Sequence, residues 1–222
     1  MNGYPVRLEG ELTPPLSRWL WLVKWFLLIP HIVCLIVLGI GFVLATVAAF
    51  FVILFTGRYP RGLFDFNVGV LRWGWRVAFY SYSALGTDEY PPFTRGVVPD
   101  YPARLEIDYP EWQRRGLPLI GRWLLGIPQY MLAGILAGGG IGWVDRYGFG
   151  GGAIGVLVLV VGIVLLFKNR YPDGVFDVVM GFNRWAIRAG AYAALLTPEY
   201  PPFRFDPGPR EPAAVAPAPV GP

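Results

Sequence analysis

Two halves of the chain repeat the same blocks of sequence, and this duplication constrains the fold more than any other feature. The matched blocks are residues 58–65 (RYPRGLFD) with 170–177 (RYPDGVFD), residues 89–93 (EYPPF) with 199–203 (EYPPF), residues 4–9 with 101–106, and Pro30 with Pro128. A repeated block of this kind indicates one structural unit used twice. We therefore expect two tandem copies, a first copy at residues 1–96 and a second copy at residues 97–205.

The composition is typical of an integral membrane protein. The 222 residues are 55% hydrophobic and only 15% charged, whereas soluble proteins carry about 25% charged residues. Residues 35–55 contain no charged side chain, and about 20 apolar residues suffice to cross a bilayer as a helix. With one cysteine and one histidine, an internal disulfide and a Cys/His metal cluster are excluded within one chain, and we expect no cofactor. The first residues show no cleavable signal peptide pattern.

The spacing of the repeats predicts the number of membrane spans. The offset between matched residues grows from 98 at Pro30/Pro128 to 112 at Arg58/Arg170, so the second copy carries 14 extra residues, which fall in a Gly-rich stretch with loop composition. We predict an all-α membrane protein with four transmembrane helices in two hairpins, at about residues 16–38, 42–56, 117–137 and 153–167. The first hairpin would turn at Gly39-Ile40-Gly41. Residues 206–222, rich in Pro and Ala, are expected to be a disordered tail.

The distribution of charge predicts an orientation for these hairpins. With two hairpins, 18 of the 19 Lys and Arg residues lie on one side of the membrane, and only Arg146 lies on the other. Basic residues collect on the cytoplasmic side, so we expect a multi-pass protein of the plasma membrane with both termini in the cytoplasm. Short cytoplasmic strands are expected at residues 6–9 and 103–107, where apolar and polar residues alternate. Their pairing is not defined by the sequence.

A basic stripe follows each predicted hairpin. On a helical wheel, five side chains of residues 63–85 fall within about 60° of one another, and the second copy keeps the same set. The stripe residues are Asp65, Gly69, Arg72, Arg76 and Tyr80, matched by Asp177, Gly181, Arg184, Arg188 and Tyr192. A narrow basic stripe on an otherwise apolar helix predicts an amphipathic helix lying in the membrane interface. The alternative, a third span with two arginines facing inward, is more costly.

The arginines are the candidate binding residues, and two interpretations of them stay open. In the first, guanidinium groups bind lipid phosphates or a partner protein; these residues are Arg58, Arg72, Arg76, Arg170, Arg184 and Arg188. In the second, Asp65 and Asp177 form structural salt bridges with them, and the repeated block only shapes a turn. His31 is matched by Gln129, which favours hydrogen-bonded packing over a proton relay. No catalytic motif is present, so we expect no enzyme activity.

Residues 55–66 (FTGRYPRGLFDF) and residues 90–93 (YPPF) resemble a bacterial membrane-protein family, the domain of unknown function 4389. The resemblance implies a bacterial inner-membrane protein and transfers no catalytic residues. We expect an accessory or scaffold subunit, or a lipid-interacting module, of the plasma membrane. Its partners would be membrane lipids and other membrane subunits or a second copy of the chain, and not nucleic acid. The alternative is a small transporter or channel component formed between the repeats or by oligomerisation.

Overall fold

A computed structural model of the protein describes residues 4–113, 116–137, 152–168, 170–172 and 174–211. These residues form six helices and two strands. In chain order they are β1 (Val6–Gly10), α1 (Leu20–Leu27), α2 (Ile29–Thr56), α3 (Arg61–Tyr80), β2 (Ala103–Ile107), α4 (Leu117–Ala137), α5 (Ala153–Lys168) and α6 (Val175–Ala193). The Gly-rich stretch and residues 212–222 of the predicted tail lie outside the described residues.

The two strands lie where the alternation of the sequence predicts them, and they join the two copies. β1 and β2 pair antiparallel with Leu8 opposite Leu105 at the centre of the register. One face of this two-stranded sheet is buried, whereas Arg104 and Glu106 on the other face are exposed. Helix α3 packs against β2, and α6 packs against β1. Each strand is therefore covered by a helix of the other copy, and the copies are interlaced.

The hairpin predicted for the first copy is wrong. Helix α2 runs unbroken through Gly39-Ile40-Gly41, because two glycines cost only about 1 kcal/mol each in a helix interior and the stretch has no polar turn residue. A Cβ at Gly41 would lie 3.0 Å from Cζ of Phe66. Gly41 therefore permits close packing of α2 on α3 instead of forming a turn.

The prediction of four transmembrane helices is also wrong. Among the described residues, two helices are long and apolar enough to cross a membrane, Ile29–Thr56 and Leu119–Ala137. Helix α5 begins where the sequence predicts it but has only 16 residues, which is about 24 Å of helix against a hydrocarbon core of about 30 Å. The expectation that both termini are cytoplasmic depended on two complete hairpins and stays a prediction.

The sequence predicts that α3 and α6 lie in the membrane interface, which stays a prediction, but their basic residues are not at the protein surface as such a helix would place them. More than half of the residues of each helix are buried, and three stripe arginines face inward, since Arg76, Arg184 and Arg188 are each at most 2% exposed. These arginines face inward because nearby backbone carbonyls need hydrogen-bond donors. The outer edges of a two-stranded sheet and the loops beside it leave carbonyls without partners, and a guanidinium offers five N–H donors.

Candidate functional site

The arginines of the two stripes bind the outer edges of the sheet. Arg184 donates from Nε to the Leu8 carbonyl at 2.8 Å, and Arg72 donates from Nε to the Leu105 carbonyl at 3.1 Å. Leu8 and Leu105 are opposite each other in the strand register. The same hydrogen bond is therefore made twice, each time from a helix of one copy to a strand of the other. These two arginines link the copies.

The arginines of the second copy are paired with carboxylates. Arg188 donates from Nη1 to Oδ2 of Asp206 at 2.7 Å and from Nη2 to Oε1 of Glu211 at 2.9 Å. Arg184 donates from Nη1 to the backbone carbonyl of Asp206 at 2.6 Å. Asp206 is 7% exposed, so this ion pair is buried. Both carboxylates belong to the predicted tail, whose first six residues therefore contribute to the folded structure.

The stripe arginines of the first copy, Arg72 and Arg76, donate to backbone carbonyls in the part of the chain that the structure describes. Arg76 donates from Nη2 to the Thr94 carbonyl, and Arg72 donates from Nη1 to the Arg95 carbonyl at 3.4 Å. Among the described residues neither arginine forms an ion pair within 4.0 Å. Burial lowers the pKa of the Arg76 guanidinium, and the neighbouring positive charge of Arg72 lowers it further. The two copies therefore differ in how their buried positive charge is compensated.

Asp65 and Asp177, the predicted salt-bridge residues, lie away from these contacts. Asp65 is exposed and Asp177 is half-buried. In the part of the chain that the structure describes, neither carboxylate forms an ion pair with an arginine. The pairing carboxylates, Asp206 and Glu211, were missed because they lie in a Pro/Ala-rich segment. Their charge within that segment was the one signal that could have identified them.

Arg58 and Arg170, the remaining candidate residues, lie on the surface. Each is exposed and is followed by a tyrosine that is at most 5% exposed. Tyr59 donates to the Ala194 carbonyl at 3.5 Å, and Tyr171 donates to the Ala84 carbonyl at 2.8 Å. The repeated Arg-Tyr-Pro block thus directs its tyrosine into the other copy and its arginine outward. Gly57, with φ 72°, ends α2 just before Arg58, in the left-handed conformation that glycine adopts readily.

A groove of about 520 Å³ lies beside Arg58. Its lining includes Val52 and Thr56 from the last turns of α2 together with Trp112. An arginine and a tryptophan at the end of a long apolar helix match the residues that membrane proteins place at headgroup depth. The groove therefore combines an apolar wall, an indole and a guanidinium.

His31 and Gln129 perform the same packing task in the two copies. The indole Nε1 of Trp73 donates to Nδ1 of His31 at 3.1 Å, and that of Trp185 donates to Oε1 of Gln129. The His31 ring also stacks on Phe93 with centroids 3.9 Å apart. Since a glutamine accepts the matching bond, proton transfer is not required of this position.

A family model described as "Domain of unknown function (DUF4389)" matches the chain in two segments, residues 18–95 and residues 147–204. The segments together make up more than half of the chain and fall in the two copies. The resemblance seen in the Arg-Tyr-Pro and Tyr-Pro-Pro-Phe blocks is thereby confirmed. No curated protein and no solved structure matches the chain.

Proposed function

The chain belongs to the DUF4389 family, a domain of unknown function, and on that premise we propose that it is a non-enzymatic, lipid-interacting module of the bacterial plasma membrane. One observation carries the proposal. The most apolar 18-residue window of α2 has a mean hydropathy of 2.8 and is only 11% buried. The core helix of a soluble protein would be mostly covered by its own chain.

The exposed side chains of α2 are large and apolar along its length. Val37 is 66% exposed, Leu44 is 65% exposed and Phe55 is 74% exposed. In α4, Leu124 is likewise 74% exposed. Soluble monomers rarely expose contiguous apolar patches larger than a few hundred Å². Acyl chains would cover these faces without loss of hydrogen bonds, because the backbone of a helix is satisfied internally.

Arg58 and Arg170 are the residues we propose to contact lipid phosphates. Both are exposed and directly follow the apolar segments that contain α2 and α5. A guanidinium forms charge-assisted hydrogen bonds with phosphate oxygens, and basic residues at this boundary bind anionic lipids. The groove with Trp112 beside Arg58 gives the first of these sites a wall against which a headgroup can pack.

Membrane integration is tested by fractionating bacterial cells that express the chain. We expect the protein to stay in the membrane pellet after an alkaline carbonate wash, which removes peripheral proteins. Leu44→Arg places a charge on the exposed face of α2 and should shift protein out of the carbonate-resistant pellet. The control is Arg104→Leu, which removes a charge from the exposed sheet face and should leave the distribution unchanged. Recovery of the wild-type chain in the soluble fraction would refute the proposal.

The lipid contacts are tested by measuring the phosphatidylglycerol that co-purifies in mild detergent. We expect the double variant Arg58→Gln, Arg170→Gln to retain several-fold less of this lipid than the wild type, because both proposed phosphate contacts are removed. Arg104→Gln, Arg210→Gln, which also removes two charges from exposed residues away from Arg58 and Arg170, is the matched control. Equal retention by the double variant and the control would show that Arg58 and Arg170 do not select anionic lipid.

The transporter or channel alternative has less support, because the cavity of about 570 Å³ between the two copies is lined mainly by apolar residues, among them Leu35, Phe42 and Ile187. A polar path through the apolar helices would need free polar groups, and the sequence offers His31, Thr46 and Gln129 there. Thr46 bonds with Asn67 and Phe42, and Gln129 bonds with Trp185 and Pro201. His31 accepts a bond from Trp73 at Nδ1, whereas its buried Nε2 has no hydrogen-bond partner among the described residues. An accessory-subunit role, in another membrane complex or in a homo-oligomer, is compatible with the same apolar surface and would appear as co-purifying protein in the lipid experiment.

A further inference from the structure

The two copies treat one matched arginine differently, and we propose that the first copy binds a carboxylate group, free or on a partner's acidic side chain, at Arg76. Arg76 is 1% exposed. Its Nε and Nη1 atoms are buried and have no hydrogen-bond partner among the residues that the structure describes. This site is separate from the exposed lipid contacts, so it stands or falls independently of the proposed function.

The second copy shows what such an arginine requires. Arg188, the match of Arg76, has carboxylate oxygens at 2.7 and 2.9 Å on Nη1 and Nη2, and only its Nε lacks a partner. Removing a cation from water costs several kcal/mol unless an opposite charge and hydrogen bonds compensate it. The same helix position thus carries compensated charge in one copy and uncompensated charge in the other.

The position in the first copy that matches Asp206 can be identified from the packing of the residue just before it. Arg95 lies against Gly69, where an added Cβ would be 3.0 Å from the Arg95 Cβ, and Phe205 lies against the matched Gly181, where it would be 2.6 Å from the Phe205 ring. The next residue is Asp206 in the second copy and Gly96 in the first. The first copy therefore has a glycine where the second copy has the carboxylate that pairs with Arg188.

A small cavity lies at this arginine pair. It measures about 30 Å³, and its lining includes Arg72, Arg76 and Val97. A water molecule needs about 10–15 Å³ on the same measure, so there is room for two oxygen atoms, which is the footprint of a carboxylate. Val97 is 67% exposed, and the cavity can be reached from the surface.

One carboxylate of the protein, Glu106, also lines the cavity, but it lies on the exposed sheet face. Its Oε2 pairs with Nη2 of Arg7 at 3.4 Å, and its side chain is 65% exposed. Three arginines, Arg72, Arg76 and Arg104, therefore line the cavity together with one carboxylate, and that carboxylate is already paired with Arg7. Water alone would supply hydrogen bonds to Arg76 but no negative charge.

The proposal is tested by thermal unfolding of the full chain in detergent, with increasing sodium formate at constant ionic strength. We expect the wild-type midpoint to rise by about 3–6 °C when formate exceeds its Kd about tenfold. Gly96→Asp supplies the carboxylate internally and should abolish this rise. Gly96→Asn, which has the same shape without the charge, should keep it. Arg76→Gln should also abolish the rise.

Each outcome decides the proposal. No rise in the wild type, or an equal rise in Gly96→Asp, would show that the cavity holds water only. If formate no longer raises the unfolding midpoint of Gly96→Asn, then shape and not charge is responsible, and the proposal is also overturned. If Arg76→Gln does not fold, the two Gly96 variants still decide. Sodium acetate, the analogue of an aspartate side chain, distinguishes the sources: a rise with acetate as well as formate supports a partner's acidic side chain, and a rise with formate alone supports a free anion.

Discussion

Arg184→Met tests whether the inward-facing stripe holds the two copies together. Arg184 is 0% exposed and makes two charge-assisted hydrogen bonds, at 2.8 Å to Leu8 and at 2.6 Å to Asp206. Such bonds contribute about 1.5–3 kcal/mol each, and the substitution removes the donors of both. We therefore expect the free energy of unfolding to fall by about 3–6 kcal/mol. The Met side chain keeps apolar contact with α6's neighbours, so lost packing is a small part of this change.

The matched substitution Arg72→Met provides the comparison. Arg72 is half-buried, and its bonds are longer, at 3.1 Å to Leu105 and 3.4 Å to Arg95. We expect a loss of only about 1–2 kcal/mol, the value of one ordinary hydrogen bond to a charged group. The assay is equilibrium unfolding by sodium dodecyl sulfate in dodecyl maltoside micelles, followed by tryptophan fluorescence. A loss below about 1 kcal/mol for Arg184→Met, or equal losses for both variants, would refute the reasoning.

Two further predictions use the same unfolding assay. His31→Gln should lower the free energy of unfolding by about 0.5–1.5 kcal/mol, the value of the Phe93 stacking, since Gln129 accepts the matching indole bond in the second copy. His31→Leu leaves Trp73 Nε1 buried without a partner and should lower it by about 2–4 kcal/mol. Equal losses for the two variants would contradict the packing role of His31. Burial raises the pKa of Tyr59 from 10.0 to about 12. The folded state therefore keeps a proton that the unfolded chain releases, and stability should fall between about pH 10 and pH 12. In Tyr59→Phe this fall in stability should be smaller. A pH profile equal to that of the wild type would show that Tyr59 does not cause the fall.

The apolar helices of the second copy could be predicted from the sequence, whereas the long helix α2 of the first copy could not. Helix α4 has the predicted bounds because a long apolar run leaves a helix as the one way to satisfy its backbone in an apolar setting. In the first copy, the glycines of Gly39-Ile40-Gly41 suggested a turn by analogy with the Gly-rich insertion. Gly41 instead serves the contact with Phe66. A glycine that permits close packing and a glycine that permits a turn look the same in a sequence.

The sequence predicts which residues belong to the basic stripe but not which way the stripe faces in the folded protein. A helical wheel shows that Arg72 and Arg76 share a face, because the period of a helix is local. Which way that face points depends on what lies opposite. Here the strand edges and the segment after Phe203 offer carbonyls and, in the second copy, the carboxylate of Asp206. None of these partners is close in sequence to the arginine it contacts.

The duplication, the family, the apolar segments, the two strands and the membership of the basic stripe can all be identified from the sequence, because each depends on composition or on a period that a few adjacent residues define. The tertiary structure alone decided that α2 is continuous, that the stripe arginines turn inward, and that Arg188 has a carboxylate partner where Arg76 has none. These features depend on contacts between distant residues. The free energy of a buried guanidinium is set by the groups around it, and folding alone brings those groups together.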